Sequence, residues 1–235
     1  MEFTKTLLRE NLWSLDQGGV RCFLLIGEDK ALLIDTGFGG DLRSICAEIT
    51  DLPITLLTTH SDRDHTGCDA QFPQQYIHPD EMPRYRKNNP DSSRELLPIV
   101  EGDTLTVDPY TLEVLLVPGH TPGSIALLDR THQFLIAGDT VQTHCIFMHG
   151  DGRDLSLFRE SIARLESMRQ NGDFVTVYAA HGEAETSADI LPDILAMAKE
   201  VLAGSAEPFG PAPDRFPETV KVYKHGRAQM YHEMK

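Results

Sequence analysis

Within six residues, His60-Ser61-Asp62-Arg63-Asp64-His65, the sequence concentrates four imidazole and carboxylate side chains directly after an apolar stretch, Ile54 to Leu57. In an extended segment, residues 60, 62 and 64 project to one side, and a turn at Asp64 can swing His65 toward the same space. Three further segments repeat the pattern of ligand-type groups just past an apolar strand. Pro118-Gly119-His120-Thr121-Pro122-Gly123-Ser124 clamps a histidine between prolines and glycines that fix the backbone. Gly138-Asp139 follows residues 134–137, and His181-Gly182 follows residues 175–178. Each is weak alone, because a histidine after a strand is usually a satisfied polar residue and Gly-Asp is usually only a turn. All four in this order exceed coincidence.

The remaining composition narrows the setting. At 235 residues and 40% hydrophobic content, the chain has material for one large core, so residues 1–235 are read as a single domain. A formal charge of −15 repels phosphate backbones, which excludes nucleic acid and anionic membrane as expected partners. No apolar run approaches the ~20 residues that span a bilayer. Residues 1–11 carry Glu2, Arg9 and Glu10 where a signal peptide needs its apolar stretch, so a cytoplasmic location is expected. Cys22, Cys46, Cys68 and Cys145 are widely separated and form no CxxC pair, which suggests neither a disulfide framework nor a thiolate zinc knuckle. Cys68 is expected to be a small buried apolar residue.

Periodicity predicts strands over residues 20–26 and 31–34, joined by Gly27-Glu28-Asp29-Lys30 as a hairpin. Further strands are predicted over 54–57, 76–78, 105–107, 111–117, 124–128, 133–136 and 174–178. Helices are predicted over 41–49, 155–168 and 188–202, and a last hairpin over 220–223 and 228–231. Residues 80–100 hold Pro83, Pro90, Pro98 and no clean period, and read as a long, charge-balanced connection. Residues 204–217, with four prolines, read as a linker. Strands first, then mixed strand and helix, imply two sheets with helices outside them.

Together with Leu33-Ile34-Asp35-Thr36-Gly37 at an earlier strand end and Ala180-His181-Gly182, these motifs resemble the metallo-β-lactamase-fold hydrolases over residues 20–182. The resemblance implies an α+β fold, a four-layer αβ/βα sandwich with a two-metal site. It implies that His60 and His120 serve one metal, that Asp64, His65 and His181 serve the other, and that Asp139 bridges them. Asp35 matches the carboxylate that steadies the ligand loop from behind. Two divalent ions are implied, zinc foremost, with iron or manganese as alternatives.

One position departs. The family usually has histidine where this chain has Asp62, giving HxDxDH in place of HxHxDH. An additional anionic ligand would lower the net positive charge of the site, acidify a bound water less, and favour iron or manganese over zinc. Either Asp62 ligates, or it points away and leaves a mononuclear site on Asp64, His65 and His181. The flavodiiron reductases carry glutamate at this position.

The expected activity is hydrolysis of an ester, thioester, lactone or amide bond of a small molecule by a metal-held hydroxide, with Asp64 orienting the nucleophile. The alternative is a non-haem di-iron oxidoreductase that takes electrons from a separate partner. Ser61 and Ser124 lack the glycine-flanked elbow of a serine nucleophile. Glutathione thioesters are not expected as substrates, since relatives that cleave them carry a helical domain after the last ligand histidine. His144 and His149, in the loop after Asp139, are candidate substrate contacts. His78, His132, His225 and His232 are expected to be structural or solvated. Trp13 is expected at a sheet edge, and Tyr85 and Phe147 in a pocket wall or the core. The oligomeric state is left open.

Overall fold

The computed structural model describes residues 2–233, which fall into two compact units. One unit consists of the chain up to Leu115 with residues 127–132, and the other of residues 116–126 with the chain from Gln133 onward.

The first unit is built on a seven-stranded sheet in sequence order: β1 (Thr4–Arg9), β2 (Leu12–Asp16), β3 (Arg21–Ile26), β4 (Ala31–Ile34), β5 (Ile54–Leu57), β6 (Gln74–Ile77) and β7 (Glu95–Pro98). Strands β1 to β4 pair antiparallel through short turns, whereas β4 to β7 pair in parallel. Parallel pairs need crossovers, which the chain supplies with α1 (Leu42–Ala47), α2 (Arg63–Thr66) and α3 (Met82–Asn88). All parallel strands end at one edge of the sheet, so Asp35 after β4, Thr58 to His60 after β5 and His78 after β6 leave from the same side. Strand β4 is buried along its whole length, as an unbroken apolar run should be when both faces are covered. Leu24, Leu33, Leu42, Cys46, Leu56 and Phe72 belong to one core cluster. An antiparallel hairpin, β8 (Thr104–Val107) and β9 (Tyr110–Leu116), follows.

Three sequence expectations change here. Strands β1 and β2 lie where none was predicted, and Trp13 sits on β2, one strand in from the edge. Residues 80–100 are not a long connection: they form α3 and β7. Pro83 lies in the first turn of α3, where its missing N–H costs no hydrogen bond. Tyr85 on that helix is buried in the core.

After β10 (Ile125–Asp129), the second unit contains β11 (Phe134–Ile136), paired parallel with β13 (Thr176–Tyr178), which pairs antiparallel with β14 (Glu185–Ser187). Since β11 and β13 run the same way, Asp139 and His181 emerge from the same sheet edge. A smaller sheet orders β12 (Ile146–Phe147), β17 (Ala228–Glu233), β16 (Val220–His225) and β15 (Gly210–Pro211), the last lying within the expected linker. Helix α4 (Leu155–Gln170) starts at Asp154, whose carboxylate accepts from the Ser156 and Leu157 amides, and it buries Phe158, Ile162 and Leu165. Helix α5 (Leu191–Leu202) buries Ile194, Met197 and Ala198.

Among the described residues no helix is long and apolar enough to cross a membrane. All four cysteines are free and buried. Burial pushes the Cys46 and Cys145 thiols up to about 12, so neither supplies a thiolate nucleophile.

Candidate metal centre

In the first unit the ligand-type side chains are organised by Asp35. Its backbone is left-handed, φ 62°, a conformation that aspartate tolerates better than most residues and that recurs where structure serves a site. Its side chain is 3% exposed and fully engaged. Oδ1 accepts from the Thr59 amide at 2.7 Å, and Oδ2 accepts from Thr59 Oγ1 at 2.7 Å and lies 2.8 Å from His65 Nδ1. With its proton given to Asp35, the Thr59 hydroxyl offers a lone pair to His60 Nδ1, 3.1 Å away. One carboxylate therefore fixes the Nδ1–H tautomer of two imidazoles and leaves Nε2 as the donor atom of each.

Between them, His60 Nε2 is 3.6 Å from Asp62 Oδ2, and His65 Nε2 is 3.9 Å from Asp64 Oδ2. The Asp64 side chain is a quarter exposed. The other Asp62 oxygen accepts from Arg84 Nη2 at 2.7 Å. Glu81, wholly buried, accepts from the Ser61 amide at 2.9 Å and also from the Ser61 hydroxyl. Neither Arg84 nor Glu81 was signalled by the sequence, because both act 20 or more positions from their partners. Thr59 could have been read from its place next to His60.

The second unit follows the same scheme. Gly119 precedes the ligand-type histidine at φ 130°, and a Cβ there would lie 2.2 Å from Phe158 N, so only glycine lets the loop pass so close to α4. His120 Nδ1 lies 3.0 Å from the Phe147 carbonyl, which again leaves Nε2 as the donor. Arg153 Nη1 donates to the His120 carbonyl. Asp139 faces two imidazoles with separate oxygens: Oδ2 is 3.5 Å from His120 Nε2, and Oδ1 is 3.2 Å from His181 Nε2.

His60, Asp64 and His65 in the first unit and His120, Asp139 and His181 in the second are the described side chains of the types that could hold metal ions. Asp62 is not among them. Imidazole nitrogen and carboxylate oxygen without thiolate suit zinc, iron or manganese. The spacings fit as well. Donors on a tetrahedral ion with bonds of about 2.0–2.1 Å stand about 3.4 Å apart. The 3.5 Å contact between His120 and Asp139 matches that edge better than the ~2.9 Å of an N–H···O hydrogen bond.

The other histidines divide. The His144 ring centre is 6.4 Å from that of His181. Burial pushes the His144 pKa down, with His181 acting in the same direction, while Asp139 opposes and Arg215 adds to the fall. His149 Nδ1 lies 3.0 Å from Glu233 and its ring packs against Phe147 and Phe216. His78, His132, His225 and His232 are held by Asp80, Asp129, Glu200 and the Met148 carbonyl respectively, as structural residues are. Cys68 is buried, with Sγ 3.6 Å from the Gly40 carbonyl. Phe147 is half-buried on β12, with Phe216 and Tyr231 as ring neighbours.

The chain is similar to known proteins over most of its length. The family model described as metallo-beta-lactamase superfamily matches residues 15–181. A protein of Methanocaldococcus jannaschii named "Probable metallo-hydrolase" is 29% identical over 188 residues, covering 68% of this chain and 86% of that one. A hydroxyacylglutathione hydrolase of Nitrosomonas eutropha is 32% identical over 162 residues, covering 68% of this chain and 59% of its own length. Among solved structures, a metallo-beta-lactamase from Pontibacter korlensis superposes with a TM-score of 0.70 at 17% identity, covering 84% of this chain and 99% of that one. That likeness gives the fold, the α+β sandwich with mixed sheets and helices. The motif order, the fold and the family match converge: this chain belongs to the metallo-β-lactamase superfamily and is a metal-dependent hydrolase of that family.

Proposed function

We propose that this chain, acting as one metallo-β-lactamase-like domain over residues 1–235, hydrolyses an ester, thioester, lactone or amide bond of a small molecule with two divalent ions, zinc foremost. The ligands in this reading are His60, His120 and Asp62 for one ion and Asp64, His65 and His181 for the other. Asp139 is shared. The observation that carries the reading is the Asp139 carboxylate, which turns one oxygen to His120 and the other to His181. A carboxylate that only closed a turn would have no reason to address two imidazoles.

When bound, such ions lower the pKa of water toward about 7 and polarise the substrate carbonyl. The chain's own residues do the rest. Asp35 and Thr59 hold the imidazoles of His65 and His60 in one tautomer, and the Phe147 carbonyl does the same for His120. Asp64, exposed enough to meet water, orients the attacking water molecule. His144, beside His181 and kept neutral by its surroundings, is placed to accept a hydrogen bond from substrate. His149 is tied to Glu233, and its part in substrate contact rests on its position beside Phe147.

Named relatives support the thioester arm in particular. They include hydroxyacylglutathione hydrolases and an atrochrysone carboxyl ACP thioesterase of Aspergillus novofumigatus, 31% identical over 140 residues. The chain spans less than three-fifths of the Nitrosomonas eutropha hydrolase, so its substrate is not carried over from that protein. The test is a panel of activated esters, lactones, acyl-glutathione and acyl-pantetheine thioesters, assayed with and without chelator. Chelator-sensitive turnover of at least one class is expected. Its absence from zinc-replete protein, or oxygen consumption by iron-loaded protein instead, overturns the reading.

A further inference from the structure

Asp62 occupies the cap position of α2, where an aspartate ordinarily accepts a hydrogen bond from an amide of the first turn, yet it makes no such bond. Its side chain is turned elsewhere. Oδ1 accepts from Arg84 Nη2 at 2.7 Å, while Oδ2 faces His60 Nε2 at 3.6 Å. The pair is shielded but reached by water, with the two side chains 17% and 23% exposed. Arg84 projects from α3, and the same helical face holds the neighbouring residue. Glu81 accepts from the Ser61 amide, and Asn88 Nδ2 donates to the Ser61 carbonyl at 3.3 Å. Positions 81, 84 and 88 are face neighbours at three-to-four spacing. The loop backbone is thus secured by Glu81 and Asn88, while Arg84 addresses the carboxylate.

A histidine at position 62 would bring a neutral donor. Aspartate brings a negative charge in its place, and the guanidinium of Arg84 cancels it at fixed geometry. We propose that Asp62 and Arg84 act as one composite ligand: Asp62 turns Oδ2 to the ion held by His60, and Arg84 is the positioning residue that fixes Oδ1 and restores the charge of a neutral ligand. This rests on the metal-binding reading above and deepens it. It also accounts for how a chain with HxDxDH keeps hydrolytic chemistry, since the net charge that acidifies water is preserved.

The test is zinc titration of chelator-stripped protein by calorimetry, for the native sequence, Arg84→Met, Arg84→Lys, Asp62→His and the double variant Asp62→His/Arg84→Met. Removing a partner that supports a ligand should weaken one of the two ions about 10- to 100-fold in Arg84→Met. Arg84→Lys, which keeps the charge but not the fork, should recover part of that loss. The double variant, with a neutral imidazole and no guanidinium, should bind more tightly than either Arg84→Met or Asp62→His alone. A pH–rate profile gives a second readout that a purely structural arginine would not move: its rise should shift to higher pH by about one unit in Arg84→Met.

Native-like zinc binding and pH profile in Arg84→Met overturn the proposal, as does a double variant no better than Arg84→Met. Should Arg84→Met not fold, Arg84→Gln, which also removes the charge but keeps a polar side chain, takes its place in both comparisons. Failure of the native sequence to bind zinc at all sinks the metal reading itself and is recognisable as such.

Discussion

Asp35 Oδ2 lies 2.8 Å from His65 Nδ1, and the same oxygen accepts from the Thr59 hydroxyl that stands beside His60 Nδ1. A single buried carboxylate therefore orients ligands of both proposed ions. Asp35→Ala should weaken both about 10- to 100-fold, whereas Thr59→Val should weaken chiefly the ion on His60. Asp35→Ala should also cost about 1–3 kcal/mol of apo-protein stability, because the buried Thr59 amide loses its acceptor. Metal retained after dialysis against graded chelator separates the two variants. Equal losses in both would contradict the relay through Thr59.

Gly119 tests how tightly the second ligand loop is packed. A methyl group there meets the Phe158 backbone at 2.2 Å and must hold φ at 130°. Gly119→Ala should cost about 3 kcal/mol or more, lowering Tm by about 6–12 °C for a chain of this size. A change under about 2 °C would show that the loop has room to move.

Asp69 predicts a pH dependence of stability. It is 3% exposed, and burial pushes its carboxyl up to about 6 from an ordinary 3.8, against the pull of the Thr36 hydrogen bond. The folded state then holds the proton more tightly than the unfolded chain. The residue costs nothing below about pH 4, and its cost grows until about pH 6. Asp69→Asn keeps an acceptor for Thr36 and removes the titration. Urea unfolding should show the variant gaining about 1–3 kcal/mol on the native sequence between about pH 4 and pH 7. A difference that is flat with pH would contradict the assignment.

The contrast between Asp139 and Arg84 shows what the sequence disclosed and what it hid. Asp139, His120 and His181 each follow a short apolar strand, so local pattern alone marked them as groups delivered to a sheet edge. Strands β3, β4 and β5 were legible for the same reason, as runs apolar enough to be buried. Strands β1 and β2 were not, since TKTLLR and LWSLD mix polar and apolar residues without a clean period. Helix α3 was hidden by Pro83 and by its brevity. Arg84 was hidden because its partner lies 22 residues earlier, and a contact made by folding leaves no mark in spacing.

The most direct measurement follows metal content and hydrolysis together through one cycle of chelation and zinc add-back, on protein purified without added metal. The account predicts two divalent ions per chain at the start. Turnover should disappear as the ions leave and return with zinc, and His60→Ala and His181→Ala should each remove one ion. Turnover that survives complete metal removal, or a full complement of ions in both variants, would contradict it.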